Sequence, residues 1–209
     1  MIDIGTGDGL FVYESARRNP TRFYIGVDAN ARPLEKISEK IYRKPFTTLP
    51  GGGPNALFVQ AAIEELPPEL DGIADEVRVH FPWGGLLRAV AGGEQESLQR
   101  LRRICSPGAR LVVIIGLDPT RDRTEVLRLG LEPFSLAYID SSLTASYRKC
   151  GFEVVERGML SAAEWASLES SWARRLRGDG SRSVFYLHAL AVDWVGLSGS
   201  VARRNSGLP

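Results

Sequence analysis

The feature that most constrains this chain is a turn. Asp3-Ile4-Gly5-Thr6-Gly7-Asp8-Gly9 begins within the apolar stretch Met1 to Ile4. Glycine at every second position lets the backbone reverse tightly at the end of a strand and approach a ligand with no Cβ in the way. A helical segment from Leu10 to Arg18 follows. Phe23-Tyr24-Ile25-Gly26-Val27-Asp28 then reads as a second short apolar strand ending on an acid, and Pro33 sits in the first turn of a second helix. Strand alternating with helix is the pattern of βαβ units and a parallel sheet. A dinucleotide-binding turn would read G-x-G-x-x-G, but Leu10 holds the last place. The pattern is D-x-G-x-G-x-G, with Asp28 about 20 residues on, where a carboxylate accepts hydrogen bonds from ribose hydroxyls.

With 209 residues and 44% hydrophobic composition the chain supports one α/β domain with a continuous core. We assign that domain to residues 1–194, with an insertion at 161–182 before the last strand, and expect a disordered Gly/Ser-rich tail at 195–209. No apolar run reaches about 18 residues and no charged-then-apolar leader is present, so a cytoplasmic protein without membrane association is expected. Cys105 and Cys150 stand far apart outside any CxxC pattern and read as reduced thiols. His80 and His188 lack metal-ligand spacing, so no metal is expected. The formal net charge is only +1, yet Glu64, Glu65, Glu69, Asp71, Asp75 and Glu76 crowd one stretch while Arg32 to Lys44 and Arg174 to Arg182 are basic. An overall balance can hide a basic face suited to a polyanion.

Further along, Leu34, Ile37 and Ile41 form the core stripe of the second helix. Arg32, Lys36, Lys40 and Arg43 fall within roughly 80° of one another on its other side, at about 100° per residue, with Lys44 beside them. That ridge is either a solvated face or a contact for phosphates. Phe46 to Asn55 is a Pro/Gly-rich loop, Ala56-Leu57-Phe58-Val59 a third strand, and Pro67-Pro68 stops Ala62-Ile63-Glu64 from extending into a long helix. Asp75 to Phe81 alternates into a fourth strand delivering Phe81-Pro82-Trp83-Gly84. A helix at Gln95 to Cys105, a turn at Pro107-Gly108, a central strand at Leu111 to Leu117, a polar connector at Asp118 to Pro133, a helix near Asp140 to Lys149, and strands at Gly151 to Leu160 and Ser183 to Trp194 complete the order. Trp83 and Trp172 are either core aromatics or the two faces of a pocket for a flat substrate.

The glycine turn and Asp28 resemble class I S-adenosylmethionine methyltransferases, a Rossmann-like α/β fold. That likeness implies a seven-stranded, mostly parallel sheet with an antiparallel last strand. It implies cofactor contacts at Asp3, Gly5, Thr6, Gly7 and Asp28, with Asp3 helping to hold the methionine amine and Ile63-Glu64 meeting the adenine ring and its exocyclic amine. Together with Phe81-Pro82-Trp83-Gly84 and Ser170-x-Trp172-Ala173-x-Arg175-Leu176, the chain from Met1 to about Trp194 is similar to the aminoglycoside-resistance rRNA methyltransferases of the kanamycin–apramycin (KamB/NpmA) type.

This resemblance implies methylation of N1 of a flipped adenine in the decoding site of 16S rRNA, on the 30S subunit, by a monomer with no DNA partner. Trp83 and Trp172 would stack on the base, Phe81 and Pro82 would shape the pocket, and Ser170 would position the Trp172 segment. Lys40, Arg43, Lys44, Arg175 and Arg182 would touch RNA. The chain departs from the pattern at Glu39 and Gly180, where relatives often carry basic residues, and lacks the hairpin expected before strand one, so residues preceding Met1 are expected. Two rivals remain: a tRNA guanine-N7 methyltransferase, whose usual longer Phe-Pro-Asp-Pro-Trp segment with basic residues after it has no counterpart in Gly84-Gly85-Leu86-Leu87, and a non-catalytic RNA- or cofactor-binding protein.

Overall fold

The computed structural model describes residues 1–42, 55–166 and 182–192. Its core is one seven-stranded sheet in the order β3-β2-β1-β4-β5-β7-β6. The strands are β1 (Ile2–Ile4), β2 (Tyr24–Asp28), β3 (Ala56–Gln60), β4 (Ala74–His80), β5 (Cys105–Leu117), β6 (Phe152–Leu160) and β7 (Ser183–Ala191). Strands β1 to β5 pair in parallel, and β7 runs antiparallel to both β5 and β6. The order reverses at β1, which sends β2 and β4 to opposite sides and opens a crevice at the strand ends, where ligands of such sheets bind.

Helices α1 (Leu10–Arg18) and α2 (Ala31–Tyr42) cover one face, burying Val12, Tyr13 and Ala16 with the expected stripe Leu34, Ile37 and Ile41 against Tyr24 and Ala56. On the other face α3 (Gly84–Gly92) and α4 (Gln95–Ile104) bury Leu87, Leu98, Leu101 and Ile104 against Val77, Val79, Leu111 and Val113. The short helix α5 (Arg123–Arg128) follows β5. Helix α6 (Leu136–Tyr138) passes through a π turn at Ile139–Leu143 into α7 (Thr144–Lys149), whose buried Tyr147 hydroxyl donates to Val90 O at 2.9 Å. Helix α8 (Ala162–Ala166) opens the insertion before β7. Both cysteines are free and buried, and burial pushes the Cys105 thiol up to about 12. Among the described residues no helix is long and apolar enough to cross a membrane.

Several expectations change in detail. Pro107-Gly108 is not a separate turn but an irregularity within β5: the pairing passes from Ala74–Cys105 to Glu76–Arg110, and the extra residues bulge out with Gly108 at φ 75°. The polar connector contains α5, and the residues after Trp83 form α3. The Gly51-Gly52-Gly53-Pro54 loop, the insertion from residue 167 to residue 181 and the tail from Val195 lie outside the described residues.

Candidate active site

A cavity of about 310 Å³ opens at the ends of β1, β2, β3 and β4. Gly5 and Gly7 form its floor, Asp28 and Ala29 one side, Ala61, Ala62, Ile63 and Glu64 another, and Phe81, Pro82 and Trp83 the opposite wall, closed by Gly85 and Leu86 of α3. Eight of the expected site residues thus surround one space: Gly5, Gly7, Asp28, Ile63, Glu64, Phe81, Pro82 and Trp83.

The glycine turn is held by the neighbouring strand: Gly5 and Thr6 donate their N–H groups to Val27 O at 2.8 and 3.0 Å. Gly7 stands at φ 60° with open space where a Cβ would project, so bare backbone faces the cavity. Asp28 Oδ2 accepts from Gly7 N at 2.8 Å and Oδ1 from Asn30 N at 2.9 Å. Each oxygen keeps a further lone pair, so the carboxylate is fixed in place and still able to accept from a diol.

Asp3 does not line the cavity but lies beneath it, 3% exposed. Burial pushes its carboxyl up to about 7, with Thr6 and the Arg78 charge pulling it partly back and Asp28 pushing it further. The Thr6 hydroxyl is buried beside that carboxyl. A buried acid poised near neutrality under a glycine turn fits a cationic amine arriving from above, which would ionise the acid and repay its desolvation. Across the floor, the Glu64 carboxylate lies against Gly85 in the first turn of α3, and buried Ile63 gives an apolar surface beside it. These residues fit S-adenosylmethionine: an acid for its amine, a fixed carboxylate for its ribose, and an apolar slot with a terminal acceptor for its adenine.

The opposite wall is built differently. Trp83 is 50% exposed, so it is a surface of the cavity and not a core residue. Phe81, at φ 50°, is the only non-glycine residue with positive φ among the described residues. An aromatic residue in that region costs about 1–3 kcal/mol and persists only where its surroundings over-determine it. Its N–H donates to Ile114 O at 2.8 Å. His80, next to it, is no base for this site: it lines a separate hollow across β4, β5, β7 and β6, and burial with the Arg78 charge holds its imidazole down to about 3.

Of the five residues expected to touch RNA, Lys40 and Arg182 are described. Lys40 is half-buried, its ammonium 4.1 Å from the centre of the Tyr13 ring. Arg182 turns inward: it donates to Gly116 O at 3.1 Å and pairs with Asp122, both side chains being nearly buried. That position differs from the outward-facing one expected, because the partner acid sits on the loop after β5, about 60 residues away in sequence and next to it in space. Arg43, Lys44, Ser170, Trp172 and Arg175 lie outside the described residues. Sequence reasoning missed Ala29, Ala61, Ala62, Gly85 and Leu86 on the cavity wall; Gly84-Gly85 before Leu86-Leu87 was the one available cue that a helix packs close there.

The strand order with its antiparallel β7, and a glycine turn facing a fixed acid across the switch point, define a class I S-adenosylmethionine-dependent methyltransferase. Similarity to known proteins narrows the class. Residues 1–191 match the family model for NpmA, 16S rRNA (adenine(1408)-N(1))-methyltransferase. The 16S rRNA (adenine(1408)-N(1))-methyltransferase of Streptoalloteichus tenebrarius is 38% identical over 182 residues, covering 87% of this chain and 82% of that one. The crystal structure of the aminoglycoside resistance methyltransferase NpmB1 is 46% identical, with a TM-score of 0.79, covering 91% of this chain and 86% of that one. A tryptophan-to-alanine mutant of the 16S rRNA (adenine(1408)-N(1))-methyltransferase from Catenulisporales acidiphilia, crystallised with the cosubstrate SAM, superimposes with a TM-score of 0.81 at 34% identity, covering 94% of this chain and 87% of that one. The chain belongs to the 16S rRNA (adenine(1408)-N(1))-methyltransferase family.

Proposed function

We propose that this enzyme transfers a methyl group to N1 of a flipped adenine in the decoding site of 16S rRNA, on the assembled 30S subunit in the cytoplasm, and acts there as a monomer. Such a modification would give aminoglycoside resistance. The observation that carries the reading is the half-exposed indole of Trp83 on the same cavity as Gly5, Gly7 and Asp28. A flat base laid on that indole lies beside the cofactor pocket, and aromatic stacking contributes about 1–3 kcal/mol per base.

When bound, S-adenosylmethionine supplies the methyl as an electrophile on a sulfonium. Asp3, Gly5, Thr6, Gly7 and Asp28 would hold its methionine and ribose, and Ile63 and Glu64 its adenine. Adenine N1 carries an in-plane lone pair and no proton near neutral pH, so no residue has to remove one. The chain's task is then orientation, with Trp83 and Trp172 as the two faces of a base clamp, Phe81 and Pro82 as its floor, and Ser170 fixing the Trp172 segment. Alignment of this kind is worth up to about 7–11 kcal/mol in favourable systems. Lys40, Arg43, Lys44 and Arg175 serve phosphate contacts. Arg182, as folded, supports Gly116 and Asp122, and a direct phosphate contact would first have to break its nearly buried pair.

Trp83→Ala and Trp172→Ala are each expected to leave S-adenosylmethionine binding intact by calorimetry and to reduce methyl transfer to purified 30S subunits by more than about 100-fold. Full transfer in both variants rules the clamp out.

A further inference from the structure

We propose that Trp165 is a positioning residue for the base platform, acting through Phe81. The proposal rests on the reading of Trp83 as that platform. Trp165, in α8, is 4% exposed and joins a small apolar cluster with Phe81, Ile114 and Val184, flanked by Leu160 and Tyr186. This cluster is separate from the two that hold the sheet to its covering helices. The helix that carries it is anchored by a reciprocal cap: Ser161 N and Oγ both donate to Glu164 Oε2 at 2.7 Å, and Trp165 N donates to Ser161 O at 3.1 Å.

Phe81 needs such support. It holds φ at 50° and precedes a proline, which restricts its backbone further. Its ring lies directly on the backbone of Gly116, where an added Cβ would stand 3.0 Å from two ring carbons. Gly116 forms the floor beneath the ring and Trp165 packs into the same cluster, while Pro82 transmits the backbone direction of Phe81 to Trp83 with little freedom of its own. If the cluster loosens, Phe81 relaxes toward an extended conformation and the Trp83 indole leaves its alignment. The Gly5, Gly7 and Asp28 side of the cavity makes none of these contacts, so cofactor affinity is untouched.

The test compares Trp165→Ala, Trp165→Phe and Gly116→Ala. Trp165→Ala is expected to lower kcat on 30S subunits by about 100-fold, the scale of an ångström-sized misplacement, with cofactor affinity by calorimetry unchanged and Trp165→Phe recovering most of the loss. Gly116→Ala, which enters the cluster from the other side, is expected to give the same split between kcat and cofactor affinity. The double variant should lose less than the sum of the two. In protein carrying 5-fluorotryptophan, the Trp83 fluorine resonance, assigned by its disappearance in Trp83→Phe, is expected to shift or broaden in Trp165→Ala and Gly116→Ala. A folded Trp165→Ala protein with normal kcat and an unmoved Trp83 resonance overturns the proposal. If Trp165→Ala fails to fold, a Gly116→Ala protein with an unmoved Trp83 resonance does so instead. Should the resonance move while Trp83→Ala remains fully active, the brace stands and the platform reading fails.

Discussion

The two walls of the cavity are built on opposite principles. On the cofactor side every turn residue with positive φ is a glycine, and the Asp28 carboxylate is locked by two backbone N–H groups. On the base side Gly84 shares positive φ with a phenylalanine, Phe81, and the Trp83 indole is half in solvent. The first wall is relaxed and preformed, as a site for a small, constant ligand should be. The second stores strain and depends on packing behind it, which suits the proposed role of this wall as a surface for a base drawn out of a folded RNA. Affinity for the cofactor and alignment of the substrate are therefore separable, and mutations on the two sides should fail in different ways.

The sharpest break of that contrast is the mirror image of the tryptophan variants. Asp28→Ala leaves two backbone donors unpaired and removes the diol acceptor, and should weaken S-adenosylmethionine by about 2 kcal/mol, roughly 30-fold, in calorimetry. Transfer at saturating cofactor should survive. An Asp28→Ala enzyme with normal cofactor affinity but dead chemistry would merge the two walls into one.

A smaller effect comes from Asp3. Its folded carboxyl is raised to about 7 from an ordinary value of 3.8, so the native state holds a proton that the unfolded chain has released. The stability it contributes is complete below about pH 4 and is lost as pH rises through about 7. Without cofactor, the Tm difference between wild type and Asp3→Asn should therefore change between pH 4 and pH 8 in favour of the variant. Cofactor affinity of the wild type should strengthen over the same interval as the carboxylate ionises. A flat profile for both would remove Asp3 from the amine site.

The smallest expected effect is Lys40→Glu. Loss of its contact with Tyr13 costs about 0.5–1 kcal/mol of stability. The slope of subunit affinity against salt should flatten by about one unit for the lost phosphate contact. An unchanged slope assigns Lys40 to the fold alone.

Much of this was legible in sequence where local chemistry decides the outcome. Helix α1 runs from Leu10 to Arg18 as its pattern implied, and the α2 stripe is buried as its spacing required. The glycine turn, Asp28, Ile63-Glu64 and Phe81-Pro82-Trp83 meet at one cavity. What stayed hidden depends on distant contacts or on weak local signals. Helix α3 opens on two glycines, which are poor helix formers, and is stabilised by burying Leu87 and Val90. No periodicity marks the π turn at Ile139–Leu143. An arginine beside a basic run reads as a solvent-facing cation, and only the fold shows Arg182 meeting Asp122. The strain at Phe81 is likewise invisible until the backbone is seen.

The central claim is the target of the methyl group, and its most direct test is transfer of labelled methyl from S-adenosylmethionine to purified 30S subunits and, in parallel, to tRNA, followed by mapping of the modified base. The account predicts a single methyl on N1 of the decoding-site adenine in the 30S subunit and none on tRNA. Label on tRNA guanine, or no transfer to either RNA, would contradict it.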